Sequence, residues 1–460
     1  MIRMCVLNRF RRQQEVPFWR GILRGAAVLL GAQGGRLFLQ GVNLVLAARF
    51  LGPANLGALA VLLAVANVLR PLSGFGYQVL VIREAAAHGR HRIHAVLCCG
   101  VLAYAVGGLG LGLPTALWLI PPLHLGLSLE LVLILLLSEM ILGGLHALLS
   151  NSWQAEERFA AQARWLVLLP SLRAPLFCGL ALLGKLTVES FCVVHAGTLL
   201  LLVIVGYLVR TRAWARPKPD MIRSVMSDAR AGLSFAVGQA SLAILPEIDK
   251  LLLPRLAGLA VAGQYVAGIR PVNFATLPLW SLLAAFLPQF FRQGRGGSSP
   301  ALLLARKAWM LTVPYALLAT AALLLAAPLA VPLLGEEYRV VPTIIRWSAG
   351  LLVLQAIHRP AGDALIGSGS ARFRALSQLL AAATIACLAA VLVPRIGWKG
   401  ALLAAYVGHA GLAALLVTRL AFLARQDVRI SERREQSSAA RSQETGPGCW
   451  RQSKPEQRKR

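Results

Sequence analysis

The stretch RFLGPANLGALAV, residues 49–61, returns as RLAGLAVAGQYVA at residues 255–267, with Arg49, Gly52 and Gly57 matched by Arg255, Gly258 and Gly263 at a constant offset of 206. The register extends backwards, where Arg24 aligns with Arg230, Gln33 with Gln239 and Leu46 with Leu252. Apolar identities count for little in a leucine-rich chain. Arginine and glutamine inside apolar segments are costly, so their recurrence carries the comparison. Glycine enters tight corners that a side chain obstructs. Gly52, Gly57, Gly258 and Gly263 are therefore read as structural turn residues between consecutive spans.

Hydrophobic residues make up 57% of the 460-residue chain and charged residues 14%, against about 25% charged in a soluble domain. With a mean hydropathy of +0.65, the chain reads as an all-α polytopic membrane protein. A spanning helix needs about 20 mostly apolar residues. Twelve segments qualify: 23–48, 55–80, 94–118, 125–150, 163–183, 188–209, 231–254, 260–291, 308–331, 343–366, 375–393 and 400–423. The eighth carries Arg270-Pro271, which predicts a kink.

Loop charges test the count. Seventeen lysines and arginines fall in the five connecting loops on one side, and six on the other: Arg49, Lys185, Arg255, Arg339, Arg395 and Lys399. The basic-rich side is the cytoplasmic one, so both termini are expected inside a bacterial inner membrane. The expected organisation is a basic N-terminus (1–22), a six-helix bundle (23–209), a cytoplasmic linker (210–230), a second six-helix bundle (231–424) and a disordered basic tail (425–460). Each half has an even number of spans, so the repeat is parallel. Its pseudo-two-fold axis lies along the membrane normal, the plan of an alternating-access carrier with its site between the halves.

The formal charge of +28 is spread over loops and tail without aromatic interleaving, which argues against nucleic acid as a partner. Seven cysteines show no CxxC pair and no ligand spacing to histidine, so neither a metal nor a disulfide framework is expected. Ionisable residues within spans are the candidate site. Arg36, Arg70, Arg173, Arg270 and Arg359 are candidates to line a cavity. Glu139, Asp249, Lys250 and Asp363 are candidates for coupling or gating. Each has a structural alternative: Glu139 with Arg173 as an interhelical ion pair, Arg359 with Asp363 across one helical turn, and Arg70 and Arg270 on carbonyls freed beside proline. His146, His358 and His409 are candidate proton relays, against a simpler interfacial placement. Arginines outnumber acids, and the guanidinium fork suits a diphosphate.

Residues 46–87, LAARFLGPANLGALAVLLAVANVLRPLSGFGYQVLVIREAA, resemble the opening signature of the polysaccharide transporter family, bacterial flippases of lipid-linked O-antigen and exopolysaccharide units. Residues 245–292, with Asp249 before LLL and the Gly263-to-Tyr265 step, resemble the start of that family's second half; 333–380 and 392–410 resemble its C-terminal signatures. The resemblance implies the multidrug/oligosaccharidyl-lipid/polysaccharide exporter fold. It also implies translocation of an undecaprenyl-diphosphate-linked oligosaccharide from the cytoplasmic to the periplasmic leaflet. It implies no cofactor beyond coupling to a proton or sodium gradient. The implied partners are the lipid-linked oligosaccharide, membrane lipids, a polysaccharide polymerase and a chain-length regulator. Three alternatives compete: a drug/cation antiporter of the same superfamily, which would want an acid-lined cavity; a lipid II flippase, which usually has two further spans; and a membrane polymerase or ligase. An enzyme is not expected, because the loops on the side opposite the termini are short and carry no catalytic constellation.

Overall fold

The computed structural model describes residues 2–156, 158–212, 219–227, 229–294 and 297–444. All regular structure among them is helical. The first half comprises α1 (Ile2–Ser73), α2 (Tyr77–His88), α3 (Arg92–Pro114), α4 (Leu129–Leu137), α5 (Gly144–Ala155), α6 (Phe159–Leu182) and α7 (Val188–Arg212). A connecting helix, α8 (Pro219–Ser227), leads to α9 (Ala229–Ile244), α10 (Ile248–Ala257), α11 (Leu259–Gly294) and α12 (Ser298–Ala326). The second half closes with α13 (Ala330–Leu334), α14 (Val341–Ser348), α15 (Leu351–Gly367), α16 (Ala371–Ile396) and α17 (Trp398–Glu444).

Among the described residues eight helices are long and apolar enough to cross a membrane, and nine if the pair bent by 42°, Glu336–Ser348 with Leu351–Gly367, is one span. The twelve expected segments map onto these helices as follows. Segment 23–48 and the larger part of 55–80 join in α1, whose backbone leaves the helical region at Gly52 (φ 75°, ψ 169°); the end of the second segment turns at 74–76 into α2. Segment 231–254 is broken by a turn at Leu245–Glu247, between α9 and α10. Segment 260–291 forms α11 as one continuous helix. The chain is a multi-pass membrane protein.

The repeat has a structural counterpart. Gly258 ends α10 at φ 91°, ψ 161°, close to the conformation of Gly52 206 residues earlier. Both are corners, where positive φ favours glycine. Gly57 and Gly263 are not, which corrects their reading as turn residues. They lie within helices and let two backbones cross. A Cβ on Gly57 would sit 2.2 Å from the Leu259 carbonyl oxygen, and one on Gly263 would sit 1.8 Å from that of Pro53. Each copy of the motif thus packs on the other across the two halves. Tyr338, buried in the short turn before α14, adds a bond to the same corner by donating its hydroxyl to the Ala48 carbonyl at 3.1 Å. Gln264 donates to the Glu337 carbonyl at 2.8 Å.

The expected disordered tail from 425 begins instead as a continuation of α17 to Glu444. Asp427 accounts for its first turn: its carboxylate accepts from the backbone N–H groups of Ser298 and Ser299 at the start of α12. A carboxylate there satisfies orphan donors and complements the helix dipole. Asp427→Ala is expected to lower stability by about 1 kcal/mol, read as an earlier thermal unfolding of the detergent-purified protein. The predicted N-terminal segment 1–22 is helical from Ile2. Linker residues 213–218 and 228 and tail residues 445–460 lie outside the described residues.

Candidate functional site

Between the halves lies a chamber of about 170 Å³. Its walls come from both parts of α1 (Gln40, Asn43, Leu59 among them), from Arg173 and Phe177 of α6, Phe191 and His195 of α7, and Val266, Arg270 and Phe274 of α11. Apolar side chains form most of the surface, and the polar groups are two guanidiniums, two amides and one imidazole. Among the described residues no carboxylate lines it.

Sequence and local structure explain how the polar groups reach it. The π-helical turn Ser138–Gly143 adds a residue to one turn and re-aims Glu139, a common use of such bulges. Gly143 leaves room there, since a Cβ would lie 2.8 Å from Glu139 Oε2 and 3.5 Å from Arg70 Nη1. Glu139 then accepts from Arg70 Nη1 at 3.1 Å and meets His195 Nε2 at 2.6 Å. The expected Glu139–Arg173 pair is therefore corrected: Arg70 is the guanidinium in contact with this carboxylate. Arg173 instead donates from Nε to Thr198 Oγ1 at 3.0 Å and from Nη2 to the His195 carbonyl at 2.9 Å. These bonds fix its fork at the chamber wall.

On the opposite wall, Arg270 has a buried Nε with no hydrogen-bond partner, as does Asn43 Oδ1. Both atoms belong to chamber-lining residues and have no protein partner. Beside Arg270, the broken α9–α10 junction carries a charged cluster. Lys250 Nζ donates to Glu247 Oε2 and to the Pro246 carbonyl, each at 2.7 Å, and Asn67 Nδ2 of the first half reaches Glu247 Oε1 at 3.2 Å. Asp249 accepts from the Tyr265 hydroxyl and from the Lys250 N–H. Irregular backbone within a membrane span is tolerated where it lines a cavity or is buried in protein.

The structure brings Arg173 and Arg270 together on one chamber, with Arg70 one contact behind, on Glu139. Arg36 is half-buried on α1 and near enough to Arg70 for the two charges to act on each other. Arg359 stands apart in the second half. Its Nη2 donates to Gln355 at 2.8 Å and its guanidinium stacks 4.1 Å above Trp280. Asp363 pairs with Arg374 at 2.6 Å rather than with Arg359, a correction that places α16 against α15 instead of closing one helical turn.

The histidines are also corrected. His146 is buried and stacked on Trp165, and His358 faces His409 with ring nitrogens 3.2 Å apart, so none of the three is a lone interfacial ring. Sequence reasoning missed Gln40, Asn43, Asn67, His195 and Glu247. Phe191, His195 and Thr198 share one face of α7 at helical spacing, which is the signal that was available for His195.

The family profile described as "Polysaccharide biosynthesis protein" matches residues 22–293. No curated protein matches the chain. Among solved structures, a multidrug resistance MATE family transporter of the MOP superfamily in its inward-facing conformation superposes with a TM-score of 0.67, at 14% identity, over 87% of this chain and 99% of that one. The outward-facing conformation of a multidrug resistance MATE family transporter gives 0.63 at 14% identity, over 88% and 96% of the two chains. A MATE protein in complex with MaL6 gives 0.60 at 15%, over 88% and 97%. At such identities the likeness is one of fold. The matched structures are those of membrane transporters.

Proposed function

Because the chain belongs to the polysaccharide biosynthesis protein family and is built as a membrane exporter, we propose that it translocates a polyprenyl-diphosphate-linked oligosaccharide from the cytoplasmic to the periplasmic leaflet of the inner membrane. The single observation that carries this reading is the charge of the chamber. Arg173 and Arg270 line it and, among the described residues, no carboxylate does. Two forked donors in a poorly solvated space attract a diphosphate strongly. A cation antiporter would need the opposite sign, so that alternative is disfavoured.

The chamber's volume suits the diphosphate and not the sugars, so the glycan requires the halves to part. With the termini cytoplasmic, as the loop charges indicate, the crossed glycines lie at the periplasmic end and seal it. Of the carboxylates considered for coupling, Glu139 is the one in contact with a chamber-lining residue, through His195. This is the favoured link between the site and a proton gradient.

The test uses cells lacking the gene. Lipid-linked glycan in inner-membrane vesicles is expected to accumulate on the cytoplasmic face, and the wild-type gene is expected to restore its periplasmic exposure. Unchanged sidedness after deletion, in a strain with no second transporter of this family, would overturn the proposal.

A further inference from the structure

Next to the polar chamber is a second, larger hollow of about 550 Å³, whose described lining residues are all apolar. One wall is α1 (Phe38, Gly41, Val45), the second is α11 (Ala267, Pro271), and the rest comes from the ends of α12 to α14 (Ala326 among them). Leu44 and Phe274 line both this crevice and the chamber, so the two spaces share a wall. Gly41 leaves its part of the wall bare: a Cβ there would make ordinary contact with the Phe274 ring at 4.0 Å, and a longer side chain would enter the hollow. The crevice is rimmed by exposed apolar side chains, Phe38 at 72% and Leu329 at 59%, and exposed apolar surface on a membrane-spanning chain meets lipid.

We infer that this crevice is the seat of the substrate's isoprenoid chain, held there while the diphosphate occupies the chamber. The inference rests on the proposed function and adds a second contact region to it. Its physical basis is the juxtaposition of an apolar cleft and a buried guanidinium pair. Ordinary phospholipids keep their phosphates at the membrane surface and carry two chains. The arrangement here matches an amphiphile with one chain, joined directly to an anion that must sit inside the protein. Because one wall belongs to each half, movement of the halves reshapes the cleft, and chain and head are released in the same step.

Binding of two probes to the purified full-length protein tests this: undecaprenyl diphosphate, which has head and tail, and inorganic diphosphate, which has the head only. Ala326→Phe and Gly41→Leu each fill the crevice from a different wall, so failure of one variant to fold leaves the other informative. Burying methylenes drives chain binding, so each variant is expected to weaken undecaprenyl diphosphate by about tenfold and to leave inorganic diphosphate unchanged. Excess phosphatidylglycerol is expected not to displace the long-chain probe. If both filled variants bind both probes as wild type does, while Arg270→Ala weakens both, the tail seat is wrong and the transport reading stands. If phosphatidylglycerol competes with the probe, the crevice is a general lipid site and the inference falls. If Arg270→Ala binds both probes normally, the chamber reading beneath the inference fails.

Discussion

Gly263→Leu abolishes transport while the protein remains folded in the membrane: this is the expected result of crossing two backbones at a point where no side chain fits. A Cβ on Gly263 would lie 1.8 Å from the Pro53 oxygen and 3.0 Å from the Gly57 nitrogen. Both obstacles are main-chain atoms, so no rotamer change relieves the clash. The halves must separate at this end by an ångström or more. Overpacking of this kind costs about 1–3 kcal/mol, enough to depopulate the closed state roughly 5- to 150-fold. An alternating-access cycle that cannot close one end stops there. The signature is a rise in labelling of Gln264→Cys by an impermeant thiol reagent in the Gly263→Leu background. Gly238→Ala is the control, because nothing lies within 4 Å of its Cβ position. Wild-type transport by Gly263→Leu would show that the glycine crossing is not a working contact.

The second large effect is electrostatic. Arg270→Ala is expected to weaken diphosphate binding by about 30- to 150-fold, the loss of a charge-assisted contact of about 2–3 kcal/mol. It is the cleaner of the two arginine tests, since its Nε has no protein partner to leave behind. Arg173 also holds Thr198 Oγ1 and the His195 carbonyl, so Arg173→Ala disturbs α7 as well as removing charge. Arg173→Lys keeps the charge and loses the fork, and an intermediate defect is expected from it. Isothermal titration of inorganic diphosphate into each variant reads these differences. Unchanged affinity in Arg270→Ala would remove the anion from the chamber.

The repeat was legible because a matched Arg, Gly and Gly stand out against leucine-rich surroundings, and helices were legible because apolar runs leave a membrane chain few other structures. The meaning of Gly57 and Gly263 was not, since close approach of distant backbones leaves no local mark. The α9–α10 break was hidden for a related reason. Pro246 and Glu247 sit in a run apolar enough to read as one span, and the break is stabilised by Lys250 and Asn67, one of them in the other half. Charges inside spans were easy to find and their partners were not. Glu139 and Arg70 are 69 residues apart, and Asp363 has a candidate partner one turn away, yet α16 presents Arg374 to it. The polar composition beyond Arg425 read as disorder because the capping contact of Asp427 with Ser298 spans 129 residues.

Carriage of a lipid diphosphate by the arginine-lined chamber, as proposed, is tested by translocation of a fluorescent polyprenyl-diphosphate-linked oligosaccharide by the purified protein in liposomes, with the glycan's leaflet read by an impermeant quencher. Movement between leaflets is expected for the wild-type protein, and none above empty liposomes for the double variant Arg173→Ala/Arg270→Ala at equal reconstitution. Translocation by the double variant at the wild-type rate would rule out the chamber as the carrier of the diphosphate.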